Sequence, residues 1–424
     1  MKIEKINQLK GELNLPGDKS ISHRAIMFSA LAKGKSVVHG FLRSEDIYST
    51  INCFRSLGCN IVEKNNSLEI DGVGYQNFTS PQSNLDCGNS GTTTRLISGI
   101  LSAQRFATTL IGDDSLRLRP MKRIIEPLIL MGAKINASEG YRLPMTIYGN
   151  PYLNSITYQF PVASAQVKSC IILAALHIDD EVKIIENVQT RNHTELMLNL
   201  NVSIKENQNI ISVSKKDYPD AKVYQVPSDI SSAAFFIVAT LCTNNSELII
   251  RNISLNETRT GIIKILKQMG GYIEILSMEK TAGEAYGDIL VKSSVLQNIE
   301  IEKEFIPNII DEIPILSVAG FFANGKFSIR HAEELRYKES DRIKAICENF
   351  VSLGCQVKEY KDGFEIIKKE IMDNISVNSF SDHRIAMAFY ILGSLIKNTA
   401  HIDSIESVKI SNPDFFSQLK SIST

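Results

Sequence analysis

Six stretches of the chain share one pattern, in which a serine, aspartate or asparagine precedes a run of small and apolar residues. Such polar residues cap helix N-termini, and a helix that is apolar on nearly every side is suited to burial inside a domain. The six starts lie about 70 residues apart, which predicts an internal repeat. The stretches are DKSISHRAIMFSALAKG from Asp18, NSGTTTRLISGIL from Asn89, SAQVKSCIILAAL from Ser164, SDISSAAFFIVATL from Ser228, DEIPILSVAGFFANG from Asp311 and SDHRIAMAFYILG from Ser381.

A second pattern alternates with the first: a helical run ends in a small residue and passes directly into a strand-like segment. Glycine after the last turn is a common helix stop, and alternating polarity predicts a strand. A sixth copy would begin near Ser417, and we expect the N-terminal segment MKIEKI to supply its strand. The other five copies stop at Gly58, Gly132, Asn201, Gly270 and Gly354.

Together the two patterns predict an α/β (α+β) chain of six repeats, three in each of two similar domains. The length of 424 residues also exceeds what one hydrophobic core usually serves. We expect two crossings between the domains, near residues 15–18 and 223–228, where prolines interrupt the chain. One domain would then comprise 1–18 and 227–424, and the other 19–226. A helix followed by glycine and a strand also occurs in α/β proteins without repeats, so that alternative stays open.

The charge balance restricts the possible partners. A formal net charge of −1 excludes a chain-wide positive field that would attract nucleic acid or an anionic membrane. We therefore expect small-molecule partners, with no nucleic acid and no membrane. The N-terminal stretch MKIEKINQLKGELNLPG lacks the apolar core of a secretory signal, and the seven cysteines form no C-x-x-C pair. Both observations favour a cytoplasmic protein with free thiols.

The stretch LPGDKSISHR places several anion-binding groups at one helix start. Asp18 or Ser20 can cap the helix, which leaves its first amides directed at a ligand. Ser20 and Arg24 are four residues apart and share a face, with Lys19 just before them. A hydroxyl, two cations and a helix N-terminus are suited to a phosphate or carboxylate. The alternative is an ordinary cap with solvated charges.

Three further motifs in the first half repeat this combination. In NSGTTTR, Gly91 would let a ligand approach the backbone closely, and Asn89 offers hydrogen bonds. SLRLRP places Arg119 directly before a proline that we expect to start a helix, and SAQVK contributes the hydroxyl of Ser164 and the amide of Gln166. Each of these motifs alone is a weak signal.

The second half supplies carboxylates. Asp311 and Glu312 open an apolar helix, where a carboxylate favours the helix N-terminus, so Asp311 is either functional or an N-cap. The segment RYKESDR, residues 336–342, has dense mixed charge, and SDHR follows at 381–384; a charge run is more often a solvated face, and His383 is as readily a core histidine. None of the seven histidines has metal-ligand spacing to another, so we expect no metal.

The motifs LPGDKSISHR, GNSGTTTRL, SLRLRPM, SAQVKS, DEIP, RYKESDR and SDHRIAMA, in this order, resemble the 5-enolpyruvylshikimate-3-phosphate (EPSP) synthase family across nearly the whole chain. The resemblance implies two similar domains, each of three β-α-β-α-β-β repeats in an inside-out α/β barrel, with a cleft between them. It implies transfer of the enolpyruvyl group of phosphoenolpyruvate to the 5-hydroxyl of shikimate 3-phosphate, with release of phosphate by addition–elimination through a tetrahedral intermediate. This is a step of the shikimate pathway, and no cofactor is implied. We expect a monomer.

The resemblance also implies roles for individual residues. The catalytic residues would be Asp311, Glu339 and Lys19. Shikimate 3-phosphate would be bound by Lys19, Ser20, Arg24, Ser164, Ala165, Gln166, Thr190, Asp311 and Lys338. Phosphoenolpyruvate would be bound by Lys19, Asn89, Gly91, Arg119, Gln166, Arg342 and Arg384.

The chain departs from some family members at three positions. Ala165 replaces a serine, so its contact would be through the backbone, and Glu334 replaces an asparagine. Ile410 occupies the position of a lysine, with Lys409 one residue away.

Two alternative functions stay open at this stage. One is enolpyruvyl transfer to a UDP-sugar by an enzyme of the same fold, but that enzyme has a cysteine in the loop before Arg-Pro, and residues 113–119 contain none. The other is a non-catalytic anion-binding protein on the same fold. Such a protein is expected to lose the carboxylates, whereas Asp311 and Glu339 are both present.

Overall fold

One unit of the protein is built from three separate segments of the chain. The other unit consists of the long stretch between the first and second of these segments and of a short stretch between the second and third. The computed structural model describes residues 1–75, 77–369, 372, 374–396 and 398–423. The upstream unit consists of Gly17–Val226 and Lys280–Glu284, and the downstream unit of Met1–Pro16, Pro227–Glu279 and Ala285–Thr424. The ranges expected from the sequence did not separate Lys280–Glu284 from the rest of 227–424.

Capped apolar helices form the centre of each unit. The upstream helices are α1 (Lys19–Leu31), α2 (Glu45–Ser56), α3 (Gly91–Ser102), α4 (Asp114–Leu118), α5 (Lys122–Leu130), α6 (Ala165–Ala175) and α7 (His193–Leu198). The downstream helices are α8 (Ile230–Cys242), α9 (Gly261–Gln268), α10 (Ile306–Ile309), α11 (Ile313–Phe322), α12 (Arg342–Ser352), α13 (His383–Leu395) and α14 (Phe415–Ile422). α8 buries all but one of its 13 residues, as its apolar sequence predicts.

Side-chain caps form at five of the six expected helix starts. A carboxylate or hydroxyl accepts a backbone N–H of the first turn at Asp18, Ser90, Ser164, Asp229 and Asp382. α11 differs, because Glu312 is its N-cap residue and makes no side-chain cap bond. The alternative that Asp311 is an N-cap is therefore wrong, and its carboxylate has other partners.

The upstream unit contains the same four-stranded sheet three times. In each sheet the first two strands are parallel and the following pairs are antiparallel, as in β13–β2–β4–β3, β5–β6–β8–β7 and β9–β10–β12–β11. The predicted repeat is therefore present in the sheets as well as in the helices. The strands are β2 (Lys33–His39), β3 (Asn60–Lys64), β4 (Ser67–Val73), β5 (Leu85–Asp86), β6 (Ala107–Ile111), β7 (Lys134–Ser138), β8 (Arg142–Tyr148), β9 (Thr157–Gln159), β10 (Val182–Glu186), β11 (Asn201–Lys205), β12 (Gln208–Val213) and β13 (Val223–Gln225).

The downstream unit contains three sheets of decreasing size. The largest, β1–β14–β17–β15 with β16 on β17, begins with the same parallel pair, and β18–β20–β19 and the parallel pair β21–β22 follow. The strands are β1 (Lys10–Asn14), β14 (Glu247–Ser254), β15 (Tyr272–Ile275), β16 (Glu279–Thr281), β17 (Glu284–Lys292), β18 (Phe327–Ile329), β19 (Gln356–Tyr360), β20 (Gly363–Ile367), β21 (Ile375–Val377) and β22 (Ala400–Ile402).

The N-terminal segment closes the last repeat less completely than we expected. Lys2 forms one antiparallel bridge with His401 of β22, and the Ile3 N–H donates to the Ala400 carbonyl at 2.9 Å. This is the position that β8 takes beside β6 in the upstream unit. The regular strand β1 begins only at Lys10 and pairs with β14 instead.

Candidate active site

The start of α1 carries a cation that is paired but still accessible. Asp18 accepts the Ile21 N–H at 2.9 Å and so fixes the first turn. The Lys19 ammonium lies 2.7 Å from Asp46 Oδ2 of α2, and 22% of the Lys19 side chain is exposed. Ser20 is half-buried in the same turn. The predicted combination of a capped helix start, a hydroxyl and a lysine is therefore present.

Arg24 lies one turn further along α1 and is buried. Its Nε donates to Thr194 Oγ1 and its Nη2 to Ser169 Oγ, both at 2.7 Å, while Nη1 donates to the Ser20 carbonyl at 2.9 Å. Burial lowers the pKa of Arg24 to about 10, although the charge of Glu195 opposes the shift. Arg24 is thus a cation whose direct hydrogen-bond partners are neutral.

His23, between these residues, is part of a buried hydrogen-bond chain. Its Nδ1 lies 2.8 Å from Thr50 Oγ1 of α2, which lies 2.7 Å from Thr93 Oγ1 of α3. Burial lowers the pKa of His23 to about 3. The histidine is therefore neutral at physiological pH, and its place in the motif is explained by the connection of three helices.

Asn89, Gly91 and Arg119 meet at the start of α3. Arg119 Nη2 donates to Asn89 Oδ1 at 2.7 Å and to Ser115 Oγ at 3.1 Å. A Cβ on Gly91 would lie 3.0 Å from Arg95 Nη1 and 3.5 Å from Arg119 Nη1. The absence of a side chain at Gly91 therefore keeps the space beside two guanidinium groups open.

The helix after Arg119 starts later than we predicted. Pro120 does not begin it, since α5 starts at Lys122 with Met121 as the N-cap residue. The residues before Arg119 form the short α4, which the sequence analysis did not predict.

Gln166 connects the starts of α6 and α3. Arg95 Nη1 donates to Gln166 Oε1 at 2.6 Å, and Gln166 Nε2 donates to Thr92 Oγ1 at 3.1 Å. Ser164 caps α6, and Ala165 is its first residue. Arg119 is therefore bonded to Asn89 just before α3, and Gln166 to Thr92 and Arg95 within α3.

Thr190 adjoins a buried ion cluster formed by Lys168, Glu186 and Glu195. The Lys168 ammonium lies 2.6 Å from Glu195 Oε1 and 3.0 Å from Glu186 Oε1, and the Lys168 side chain is fully buried. Thr190 Oγ1 donates to Glu186 Oε1 at 2.6 Å. Burial raises the pKa of Glu186, against the attraction of Lys168. The cluster holds α6, β10 and α7 together.

In the downstream unit, Arg342 is surrounded by three carboxylates. Its Nε donates to Asp382 Oδ2 at 2.8 Å, its Nη2 to Glu339 Oε2 at 2.6 Å and its Nη1 to Asp311 Oδ1 at 3.3 Å. Burial alone would lower the pKa of Arg342, but the charges of Asp382, Glu339 and Asp311 outweigh it and raise the pKa. Asp382, although buried, has a lowered pKa because Arg342 offsets its burial.

Lys338 and Arg384 complete this group. The Lys338 ammonium lies 3.6 Å from Asp311 Oδ1 and 3.2 Å from Glu334 Oε1. Arg384 Nη1 donates to the main-chain carbonyl of Asp311 at 2.9 Å. Lys409, by contrast, forms an exposed ion pair with Glu406. All the predicted residues of the second half therefore meet around Asp311.

Sequence reasoning missed several members of both groups. Asp46 and Asp382 hold Lys19 and Arg342, and Arg191 lies close enough to Arg24 for its charge to lower the Arg24 pKa. Asp382 was detectable as the polar residue before α13. Asp46 lies 27 residues from its partner and carries no local signal.

Each unit therefore presents a different chemistry. The upstream group offers cations, hydroxyls and amides, which bind phosphate and carboxylate. Its members are Lys19, Ser20, Arg24, Asn89, Arg119 and Gln166. The downstream group adds two partly exposed carboxylates beside guanidinium groups, which suits proton transfer next to a bound anion. Among the described residues, no cluster of three or more His, Cys, Asp or Glu side chains could hold a metal ion.

The described part of the chain has no single helix that is long and apolar enough to span a membrane. One pair of consecutive helical segments is long and apolar enough only when the two are taken together, and they are bent by 116° relative to each other. The pair is Lys303–Ile309 and Ile313–Phe322.

Comparison with known proteins supplies the family. The family model described as EPSP synthase (3-phosphoshikimate 1-carboxyvinyltransferase) matches residues 3–419. The chain belongs to the EPSP synthase family. A 3-phosphoshikimate 1-carboxyvinyltransferase of Petrotoga mobilis is 46% identical over the full length of both chains, and that of Lactococcus lactis is 45% identical over 99% of both.

Solved structures of the family have the same fold. EPSP synthase from Acinetobacter baumannii superimposes with a TM-score of 0.88 at 40% identity, covering all of this chain and 98% of the other. The enolpyruvyl transferase NikO from Streptomyces tendae has a TM-score of 0.78 at 12% identity over 99% and 96% of the chains, which shows the fold alone. The predicted family, fold class and enzymatic activity, transfer of enolpyruvyl from phosphoenolpyruvate to shikimate 3-phosphate, are confirmed.

Proposed function

We propose that the two groups of residues described above bind one pair of substrates and catalyse enolpyruvyl transfer by addition and elimination. The observation that carries the proposal is the meeting of Asp311 and Glu339 at the guanidinium of Arg342, with Lys338 and Arg384 beside them. Such a group combines acid–base catalysts with anion-binding cations.

The charges of the substrates explain why so many cations are needed. Phosphoenolpyruvate and shikimate 3-phosphate each carry a carboxylate and a phosphate of about −1.5 to −2 charges near neutral pH. Guanidinium groups bind both anions bidentately and so fix orientation as well as charge. For shikimate 3-phosphate we assign Lys19, Ser20, Arg24, Ser164, Ala165, Gln166, Thr190, Asp311 and Lys338. For phosphoenolpyruvate we assign Lys19, Asn89, Gly91, Arg119, Gln166, Arg342 and Arg384.

Glu339 is the partner of Arg342 that is best able to yield to a substrate anion. Its side chain is 28% exposed, whereas Asp382 on the other edge of the guanidinium is fully buried. Displacement of Glu339 from Nη2 would free one donor for phosphoenolpyruvate and release a carboxylate beside it, because Nη2 also donates to Asp382 Oδ1 at 3.3 Å. Asp382 would keep the guanidinium in place during this exchange.

We assign the proton transfers to Asp311, Glu339 and Lys19. Asp311 accepts the proton of the 5-hydroxyl as that oxygen attacks C2 of phosphoenolpyruvate, and Glu339 with Lys19 delivers a proton to C3. In the tetrahedral intermediate, C3 then loses a proton, the C2–C3 double bond reforms and phosphate leaves from C2. Asp311 passes the hydroxyl proton to the departing phosphate, and the proton lost from C3 returns to Glu339 with Lys19, so all three groups are restored and no covalent enzyme intermediate is formed.

The direct test is phosphate release from the purified protein with both substrates. We expect release only when phosphoenolpyruvate and shikimate 3-phosphate are present together, so omission of either is the control. Replacing shikimate 3-phosphate with a UDP-sugar acceptor tests the alternative enolpyruvyl transfer. Release with the UDP-sugar, or none with shikimate 3-phosphate, would refute the proposal.

Asp311→Asn tests the role of the carboxylate, because it keeps the size of the side chain and removes the base. We expect kcat to fall by about 10²- to 10⁴-fold, with both KM values changed little. The matched control is Asp362→Asn, which removes the carboxylate that pairs with Arg330 in a turn. A kcat of Asp311→Asn within about threefold of the unmodified protein, the size of change we allow for an indirect effect, would exclude Asp311 as the base.

We also propose that the protein is a cytoplasmic monomer and that the upstream and downstream units are its two domains. All seven cysteines are free, which supports a reducing compartment. Light scattering coupled to gel filtration gives the mass in solution, and a value near twice 47.2 kDa would refute the monomer.

A further inference from the structure

A chain of buried polar side chains leads to Arg384. Arg259 Nη2 donates to Ser231 Oγ at 2.7 Å, and the Ser231 hydroxyl donates to Glu312 Oε1. Glu312 Oε1 in turn lies 3.7 Å from Arg384 Nη1. These contacts join the starts of α8, α11 and α13, and neither Arg259 nor Glu312 has a role in the proposed mechanism.

The direction of the hydrogen bonds is determined by the chemistry of the groups. A guanidinium only donates, so Ser231 Oγ must accept from Arg259. The single hydroxyl proton of Ser231 is then available for Glu312, which is a pure acceptor when ionised. Arg259 therefore orients Ser231, and Ser231 orients the Glu312 carboxylate.

Glu312 depends strongly on Arg384 for compensation of its charge. Its side chain is fully buried, and Oε2 accepts no hydrogen bond from any residue that the structure describes. A buried carboxylate is costly without a nearby cation, and Arg384 is the residue that forms an ion pair with Glu312 within the part of the chain that the structure describes. The attraction holds the Arg384 guanidinium next to α11.

The distance of 3.7 Å leaves the donors of Arg384 available for a ligand. Within the described residues, the guanidinium makes one hydrogen bond, from Nη1 to the Asp311 carbonyl. Arg342 differs, because carboxylates accept from all three of its nitrogens. Glu312 thus orients Arg384 by charge from the side of Nη1. Within the described residues, Nε and Nη2 of Arg384 stay available to bind an anion.

We propose that Glu312, held by Ser231 and Arg259, is a positioning residue for phosphoenolpyruvate that acts by orienting Arg384. The inference rests on the proposed binding of phosphoenolpyruvate by Arg384. It assigns a function to the glutamate of the DEIP motif that is separate from the proton transfer assigned to Asp311.

Steady-state kinetics with each substrate varied in turn tests this inference on the full-length protein. Glu312→Gln keeps the shape and removes the charge, and we expect the KM for phosphoenolpyruvate to rise about tenfold. The KM for shikimate 3-phosphate should stay within about twofold. Ser231→Ala should raise the KM for phosphoenolpyruvate by about threefold, and Ser231→Thr, which keeps the hydroxyl, should restore it.

Two controls make the outcomes distinguishable. Ser317→Ala removes another buried hydroxyl, on α11 itself, that donates to the Pro314 carbonyl, and it should leave both KM values unchanged. Arg384→Lys tests the underlying assignment and should raise the KM for phosphoenolpyruvate at least as much as Glu312→Gln does. Thermal unfolding shows whether each variant is folded at the assay temperature.

The inference is overturned if Arg384→Lys raises the KM for phosphoenolpyruvate and both Glu312→Gln and Ser231→Ala leave it within about twofold. It is also overturned if these two variants raise both KM values equally, since that indicates a general structural effect. If Arg384→Lys itself has no effect, the assignment of Arg384 under the proposed function fails first. Should Glu312→Gln not fold, the comparison of Ser231→Ala with Ser231→Thr decides the question.

Discussion

Mild acid should destabilise the upstream unit because two of its histidines are buried in the neutral form. His23 lies in α1 against Thr50, and His177, after α6, donates from Nδ1 to the Leu173 carbonyl at 3.0 Å. Burial lowers the pKa of His23 from 6.5 to about 3 and that of His177 from 6.5 to about 4. Neither side chain has a partner that would favour the charged form enough to offset this.

The sign and size of the effect follow from proton linkage. Below pH 6.5 the unfolded chain binds protons at these positions, whereas the folded chain does not until the pH approaches 4 for His177 and 3 for His23. Stability is therefore fully present above pH 6.5 and is lost as the pH falls through this window. Between about pH 7.5 and about pH 5, each histidine should lower the free energy of unfolding by about 2 kcal/mol.

Urea unfolding followed by far-ultraviolet circular dichroism measures this loss at the two pH values. His23→Asn removes the titrating group and keeps a polar atom near Thr50, so its loss of stability on acidification should be about 2 kcal/mol smaller than that of the unmodified protein. His401→Asn, at an exposed position on β22, is the matched control and should lose as much as the unmodified protein. Carboxylates also titrate in this range, but they contribute equally to all three proteins. An equal loss for His23→Asn and the unmodified protein would refute the linkage argument.

Three further predictions concern the framework of the upstream unit and are tested by urea unfolding at neutral pH. Lys168→Met should destabilise by about 3–5 kcal/mol because two buried carboxylates lose their cation, whereas Lys183→Met, in an exposed ion pair, should cost less than about 1 kcal/mol. Gly99→Ala should destabilise by about 1–3 kcal/mol, because its Cβ would lie 2.1 Å from the Cys170 carbonyl oxygen. An unchanged free energy of unfolding would show that α3 and α6 can move apart without cost and would contradict this prediction. Asp18→Ala should cost about 1 kcal/mol through loss of the cap of α1, and Asp18→Asn only a few tenths; equal losses would argue against capping.

The helix starts were predictable because capping is a local interaction. An aspartate or serine next to an apolar run identifies the first turn from a few residues of sequence. Five of the six starts have a side-chain cap, at the expected residue for Asp18 and Ser164 and one residue later for the other three. α11 is the exception for a physical reason. Its two acidic side chains accept hydrogen bonds from more distant groups, Asp311 from Arg342 and Glu312 from Ser231. Neither side chain therefore accepts a backbone N–H of the first turn.

Contacts over long sequence separations were not predictable. The partner of Lys19 lies 27 residues away, and that of Arg342 in Asp382 lies 40 residues away, so no local pattern connects them. Lys280–Glu284 belongs to the upstream unit, and Glu284 contacts His193 at 2.7 Å across 91 residues, a separation that no local pattern indicates. The exact extent of the N-terminal strand was missed because isoleucines at 3 and 6 suit burial without continuous strand pairing.

Arg24 and Arg119 in the upstream unit have different hydrogen-bond partners from Arg342 in the downstream unit. Arg24 and Arg119 donate to hydroxyls, an amide oxygen and main-chain carbonyls, which orient a guanidinium without neutralising it. Arg342 instead donates to three carboxylates, so an incoming anion must displace one of them. At Arg24 and Arg119, by contrast, no hydrogen-bonded carboxylate would have to move for an anion to bind. Under the proposed assignment, binding of phosphoenolpyruvate at Arg342 would be coupled to release of Glu339, and a carboxylate freed from its guanidinium is a stronger base than a paired one. Binding of the anion and activation of the base would thus be one event at this residue.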